Sequence, residues 1–144
     1  MRMPAALLTS MLVLCAACAP VAAGAGGQTG APAVGEPFTV REKQSVVVGS
    51  EKVRVTFERV VSDSRCPVDV QCIQAGEATI ALAVQPPGGA RTTLTLSTRG
   101  DQSTGTVGAW HVALTALVPV PRVKAPSTRE PYTATLVVTA HGGR

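Results

Sequence analysis

Apolar and polar residues alternate with a period of two along most of the chain after residue 36, and helical periodicity is nearly absent. Val53, Val55 and Phe57 alternate with Arg54, Thr56 and Glu58, which predicts a half-buried strand. The alternation fails at Arg59-Val60-Val61, where a strand end or a bulge would re-aim the chain. Ala78, Ile80, Leu82 and Val84 form the next inward face. The turn Gln85-Pro86-Pro87-Gly88-Gly89-Ala90 follows, and Leu94 and Leu96 return as the second arm of a hairpin. Trp110, Val112, Leu114, Ala116 and Val118 line a further face until Pro119 and Pro121 end it, and Tyr132, Ala134, Leu136 and Val138 line the last. With Phe38, Val40 and the run Val46-Val47-Val48, the count reaches about seven short strands. Short strands separated by Gly and Pro turns predict an all-β domain over residues 37–141, with a single immunoglobulin-like antiparallel β-sandwich as the expected architecture. Trp110 at the head of an inward face reads as a core residue whose indole N–H needs a partner. Thr98 to Gly108, with three glycines, reads as a flexible connection.

The first 36 residues follow a different pattern. Arg2, an apolar run from Ala5 to Val13 and small residues at Ala16 and Ala17 predict an export signal peptide over residues 1–17, and the run is too short to span a bilayer. Ala16-Ala17-Cys18 resembles the lipobox of bacterial lipoproteins, with Cys15 where the usual Leu stands, so Cys18 is the expected lipidation site. The alternative is ordinary cleavage at Ala23-Gly24-Ala25, which leaves no anchor. Ala19 to Glu36 are rich in Ala, Gly and Pro, so residues 18–36 are expected to be the lipidated, palmitate-bearing cysteine and a flexible linker reaching about 20 to 25 Å. Ala19 follows Cys18 where an Asp would retain a lipoprotein at the inner membrane. By resemblance to lipoprotein sorting in two-membrane bacteria, that implies the outer membrane.

Cysteine, charge and turn chemistry concentrate together only in Asp63-Ser64-Arg65-Cys66-Pro67-Val68-Asp69-Val70-Gln71-Cys72-Ile73-Gln74-Ala75-Gly76-Glu77-Ala78. Cys66 and Cys72 close a loop of seven residues, too wide for a redox C-x-x-C pair, and read as a structural disulfide contributing about 2 kcal/mol. Pro67 sets a turn, Gly76 supplies permissive backbone, and Asp63 and Arg65 lie two apart where they could pair. The string resembles the signature D-S-R-C-P, about five residues, C, two residues, A-G-x-A of a group of small exported bacterial proteins, many of them lipoproteins, of unknown function. The resemblance covers Val60 to Val84, and more loosely the turn at Pro119 and Pro121 and the final strand from Tyr132. Members often carry an aromatic residue just before the Ala-Gly pair, and this chain has Gln74 two residues before Gly76. The resemblance implies a fold and a compartment, and no activity.

Charge and reactive residues narrow the function further. Thirteen basic residues stand against nine acidic ones for a net charge of +4, which falls to +3 once Arg2 leaves with the signal. The basic residues are scattered and aromatics make up only 3%, which argues against a nucleic-acid groove. His111 and His141 have no serine or cysteine in a catalytic spacing, and the cysteine and carboxylate spacing does not suit zinc, so no catalytic residue, metal or cofactor is expected. A hard cation on Asp63, Asp69 or Glu77 is the alternative to a solvated loop. Arg99-Gly100-Asp101 is the tripeptide integrins read on a displayed loop, but three residues are a weak signal and chance occurrence in a polar connection is the favoured explanation.

The function expected from these readings is that of an exported, lipid-anchored, non-catalytic binding module. Its partner is an unidentified envelope protein or glycan, met at the loop closed by Cys66 and Cys72. Asp63, Arg65, Asp69, Gln71, Gln74 and Glu77 are the candidate contact residues. The alternatives are an inhibitor of an exported hydrolase, since a stapled loop is a pre-organised peptide, and an envelope enzyme, which lacks an identifiable nucleophile, base or metal set.

Overall fold

The computed structural model describes residues 30–124 and 130–142, so the expected signal peptide, Cys18 and the first part of the linker lie outside the described residues. Eight strands follow in order: β1 (Pro37–Arg41), β2 (Ser45–Val48), β3 (Val53–Asp63), β4 (Ala78–Gln85), β5 (Thr92–Ser97), β6 (Thr104–Val107), β7 (Trp110–Val118) and β8 (Thr133–Ala140). They form two four-stranded antiparallel sheets, ordered β1-β8-β7-β6 and β2-β3-β4-β5. The expected β-sandwich is the fold observed. It shares the layered architecture of immunoglobulin sandwiches, while its strands connect as a meander in which only β1, beside β8, is out of sequence order.

The strand beyond the seven expected is β6. Thr98 to Gly108 is not a plain flexible connection: it holds a short 3-10 turn, Gly100–Ser103, and then β6. Its β-branched residues Thr104, Thr106 and Val107 suit a strand, Val107 is buried, and Gly105 lets the strand pass close to Leu94, whose Cδ1 would lie 2.5 Å from an added Cβ.

The alternation read in the sequence maps onto the interior. Phe38, Val55, Phe57, Ile80, Leu82, Val84, Leu96, Trp110, Val112, Leu136 and Val138 meet between the sheets. Trp110 is a core residue. In β7 the inward phase changes. A register shift between Leu114 and Ala116 turns Leu117 inward, leaving Ala116 and Val118 exposed where the sequence pattern places them inside. Two further shifts, between Phe57 and Arg59 and between Val60 and Ser62, account for the broken alternation in β3. There the strand bulges and continues to Asp63.

This topology gives the sandwich two distinct ends. The described chain enters at one of them, where Gly49 N–H donates to the Pro32 carbonyl at 2.8 Å and Gly35 N–H to the Val138 carbonyl at 2.8 Å. The β2–β3 and β6–β7 turns and the end of β8 lie at this end. At the other end β3 finishes, β4 begins, β5 finishes, β7 finishes and β8 begins, so the cysteine loop, the 98–103 segment and the β7–β8 connection gather there.

Candidate functional site

The cysteine loop leaves β3 at Asp63 and rejoins the sheet at Ala78, and its neck is zipped by backbone. Ser64 N–H donates to the Glu77 carbonyl at 2.8 Å, the Ser64 hydroxyl donates to the same carbonyl at 3.0 Å, and Glu77 N–H donates back to Ser64 Oγ at 3.2 Å. Gly76 is required here by close approach, since a Cβ on it would fall 1.6 Å from the Ser64 carbonyl oxygen. Ala78 is fully buried, and its N–H donates to Thr98 Oγ1 while its carbonyl accepts from Thr98 N–H, both at 2.9 Å. The residues of the D-S-R and A-G-x-A segments thus build the neck.

Arg65 ties this neck to the opposite sheet. Its Nε and Nη2 donate to Asp63 Oδ1 and Oδ2 at 2.9 and 2.7 Å, a bidentate pair in which both side chains are largely covered. Nη1 then donates to the Leu117 carbonyl at 2.6 Å and Nη2 to the Pro119 carbonyl at 2.8 Å, beyond the bulge in β7. Tyr132 completes the cluster by donating its hydroxyl to Asp63 Oδ2 at 3.1 Å. Burial pushes the Asp63 carboxyl up, but the hydrogen bonds and positive charge of Arg65, with the Tyr132 hydroxyl, outweigh it and hold the group below its usual range.

The loop proper is fastened twice more. Cys66 and Cys72 form a disulfide with their Cα atoms 5.9 Å apart. Val68 N–H donates to the Pro121 carbonyl at 3.0 Å. The Asp69 carboxylate accepts from Val123 N–H at 2.9 Å and from Lys124 N–H at 3.5 Å. Asp69 is therefore not a free outward group. The Val123 amide does most to lower its pKa, with the Lys124 amide and the charge of Arg122 adding to the effect. On the other flank, Arg99 Nη1 donates to the Ala75 carbonyl, and the buried Ser97 hydroxyl donates to Glu77 Oε2 at 2.6 Å. The Arg99-Gly100-Asp101 tripeptide is thus fastened beside the cysteine loop, with Gly100 at φ +64 starting the 3-10 turn.

Of the six candidate contact residues, the structure commits Asp63, Arg65, Asp69 and Glu77 to internal bonds. Gln71 and Gln74 are exposed and make no side-chain hydrogen bond among the described residues. What the loop shows instead is aliphatic. Val68 and Val70 are about half exposed and Ile73 wholly so, while Val118 at the end of β7 and Val120 and Val123 on the connection after it are comparably exposed. Sequence reasoning placed Val118 inside and passed over the other five. The available signal for those five was a set of β-branched residues next to Cys and Pro, outside any strand, where nothing supplies a core to bury them.

Chemically reactive groups are sparse in this region. A shallow open depression of about 430 Å³ is lined by Ser64, Ala75, Gly76, Glu77, Arg99 and Gly100, and the Ser64 hydroxyl is already engaged with Glu77 backbone. His111 lies on β7 with its Nδ1 3.2 Å from the Thr106 hydroxyl, and His141 is exposed beyond β8. Among the described residues no group of three or more His, Cys, Asp or Glu side chains is placed to hold a metal ion. What the arrangement offers is a stiff, aliphatic, outward-facing surface. Comparison with protein-family models, curated proteins and solved structures gives no match to this chain.

Proposed function

We propose that this protein is a non-catalytic binding module of the bacterial envelope, exported by its signal peptide, anchored by a lipid on Cys18 and engaging its partner at the loop closed by Cys66 and Cys72. The observation that carries the binding role is the exposure of Val68, Val70 and Ile73 on a loop fastened by a disulfide, by Asp69 and by the Ser64–Glu77 neck. Exposed apolar clusters are costly to keep in water and mark contact surfaces, and a loop that is already rigid loses less entropy when it binds. The anchoring half rests on the Ala16-Ala17-Cys18 pattern and on the likeness of the neck sequence to exported lipoproteins. Ala19 after Cys18 favours the outer membrane in a two-membrane cell.

Two measurements on the full-length protein in its producing cell test this reading. A clickable palmitate analogue is expected to label the wild-type protein and not Cys18→Ser, which should leave the membrane fraction. Absence of label on the wild type removes the anchor. Affinity purification of the solubilised protein is expected to recover a bound component that Ile73→Asp loses at unchanged melting temperature. Identical recovery from both would remove the loop as the binding surface.

A further inference from the structure

A sheet that stops leaves the outward N–H and C=O groups of its last strand unpaired, a template on which another strand can add. The described strands leave such edges at β1 and β6 in one sheet and at β2 and β5 in the other. Three of them carry a feature that discourages addition. β1 opens on Pro37 and closes on the exposed Arg41, β6 is four residues long, and β2, also four, runs into Gly49, whose N–H is already taken by the Pro32 carbonyl. β5 carries none. Its six residues, Thr92-Thr93-Leu94-Thr95-Leu96-Ser97, include no charge, proline or glycine, and they pair with β4 without a register shift. Arg91, just before the strand, has its charge answered by Glu58 at 2.9 Å.

The free part of this edge is short and well defined. Thr98 N–H donates to the Ala78 carbonyl at 2.9 Å, and the alternation of an antiparallel ladder then turns the backbone groups of Thr92, Leu94 and Leu96 toward β4 and those of Thr93, Thr95 and Ser97 away from it. Ser97 is closed off: it is 1% exposed, and its hydroxyl accepts from Arg99 N–H as the chain turns into the 3-10 segment. Thr93 and Thr95 are exposed, and among the described residues no strand pairs with their outward side. β6 approaches from the facing sheet, with Gly105 against Leu94, and is not paired with β5.

We infer that β5 pairs antiparallel with β5 of a second copy of this chain, about a two-fold axis at Leu94, joining their two four-stranded sheets into one. Thr93-Leu94-Thr95 reads the same in both directions, so the edge is its own complement. Thr93 exchanges both outward bonds with Thr95 of the second copy, and Thr95 with Thr93, which uses every free group and stops where Ser97 is closed. An unrelated extended peptide long enough to be held firmly would overhang that closed position. Cross-strand threonine pairs and the meeting of half-buried Leu94 with its copy add to the contact. Charge does not oppose it, since Arg91 falls opposite Ser97 rather than another Arg. So small an interface makes the dimer weak and concentration-dependent. The inference is independent of the cysteine loop and of the Cys18 anchor.

Two measurements on the full-length protein test it together. Differently tagged copies carrying Thr93→Cys and Thr95→Cys are co-expressed and oxidised in the producing cell, with Thr39→Cys, on the outer face of the other sheet, replacing one partner as a control. A disulfide joining the two tags is expected from the 93–95 combination and not from the control. Sedimentation of the purified wild-type protein should show a dimer that dissociates on dilution. Thr95→Pro, which deletes an outward N–H and leaves the ladder to β4 intact, should raise the dissociation constant by about tenfold or more. If proline itself lowers the melting temperature, Thr93→Lys with Thr95→Lys keeps every backbone group, brings like charges together and should give the same loss. A dimer without the 93–95 cross-link lies on another surface and overturns the inference, as does a cross-link without a dimer or one equally strong from Thr39→Cys. A dimer unmoved by both the Pro and the Lys variants, a cross-link to a different protein in place of the second copy, or neither cross-link nor dimer would overturn it as well.

Discussion

Gly76 makes the sharpest demand on sequence of any residue at the loop neck. Its neighbour across the neck is backbone, the Ser64 carbonyl, which cannot rotate aside as a side chain would. Gly76→Ala is therefore expected to cost about 3 kcal/mol, read as a fall in the denaturant midpoint at unchanged slope. Arg65 acts over a longer range, because one guanidinium satisfies the Asp63 carboxylate and two carbonyls of the facing sheet. Arg65→Ala strands a covered carboxylate and leaves those carbonyls without their donor, and a loss of about 3 kcal/mol is expected. The same carboxylate makes stability depend on pH in a definite direction. Asp63 and Asp69 both titrate below the ordinary value of 3.8 in the folded protein. Their contribution is full above the unfolded value and is lost as pH falls through the lower folded one. The melting temperature should accordingly drop on acidification from about pH 5 to pH 2, and Asp63→Asn should flatten that drop while lowering the plateau at neutral pH.

For the loop as an element, the question is how much the disulfide does alone. Closing seven residues contributes about 2 kcal/mol through the unfolded chain, so replacing Cys66 and Cys72 together with Ala should lower stability by that amount. The Ser64–Glu77 neck and the bonds from Asp69 to Val123 and Lys124 would still hold the ends. Asp69→Ala should consequently lower the melting temperature although the residue is exposed. Ile73→Ser should not, staying within about 0.5 kcal/mol of wild type, because its side chain touches solvent rather than core. A chemical melt of the three variants side by side separates staple, latch and contact residue. If Ile73→Ser were the most destabilised, the side chain would be packed and the contact role lost.

For the whole molecule, the meander sets β2 to β5 and β6 to β8 beside their sequence neighbours, with only β1 brought in beside β8, and the long connections gather at one end. Three of them meet there, and each is tied to another by side chains reaching backbone: Arg65 to Leu117 and Pro119, Asp69 to Val123, and Arg99 to Ala75. Coupling of this kind predicts that the end melts as a unit with the sandwich. Amide exchange in Ser64, Val68 and Thr98 is expected to be retarded together, and to quicken together in Arg65→Ala. Fast exchange confined to 64–77 in the wild type would mean that the loop opens on its own.

Alternation was enough to establish an all-β sandwich and most of its core, and cysteine spacing the disulfide, because period-two burial and a short cysteine spacing are local properties. The D-S-R and A-G-x-A residues could be picked out but not interpreted. Their roles are contacts between residues far apart in sequence, 54 positions in the case of Arg65 and Pro119. The same distance hid the spent condition of Asp69, whose partners come from the β7–β8 connection. The bulge at Thr115 was invisible as well: swapping Ala116 and Val118 for Leu117 on the inner face is decided by register against β8 and not by any one residue's preference. Only the tertiary structure could therefore show that the polar residues of the loop hold it together while its aliphatic residues face outward. Which groups remain for a partner depends on which the fold has already consumed.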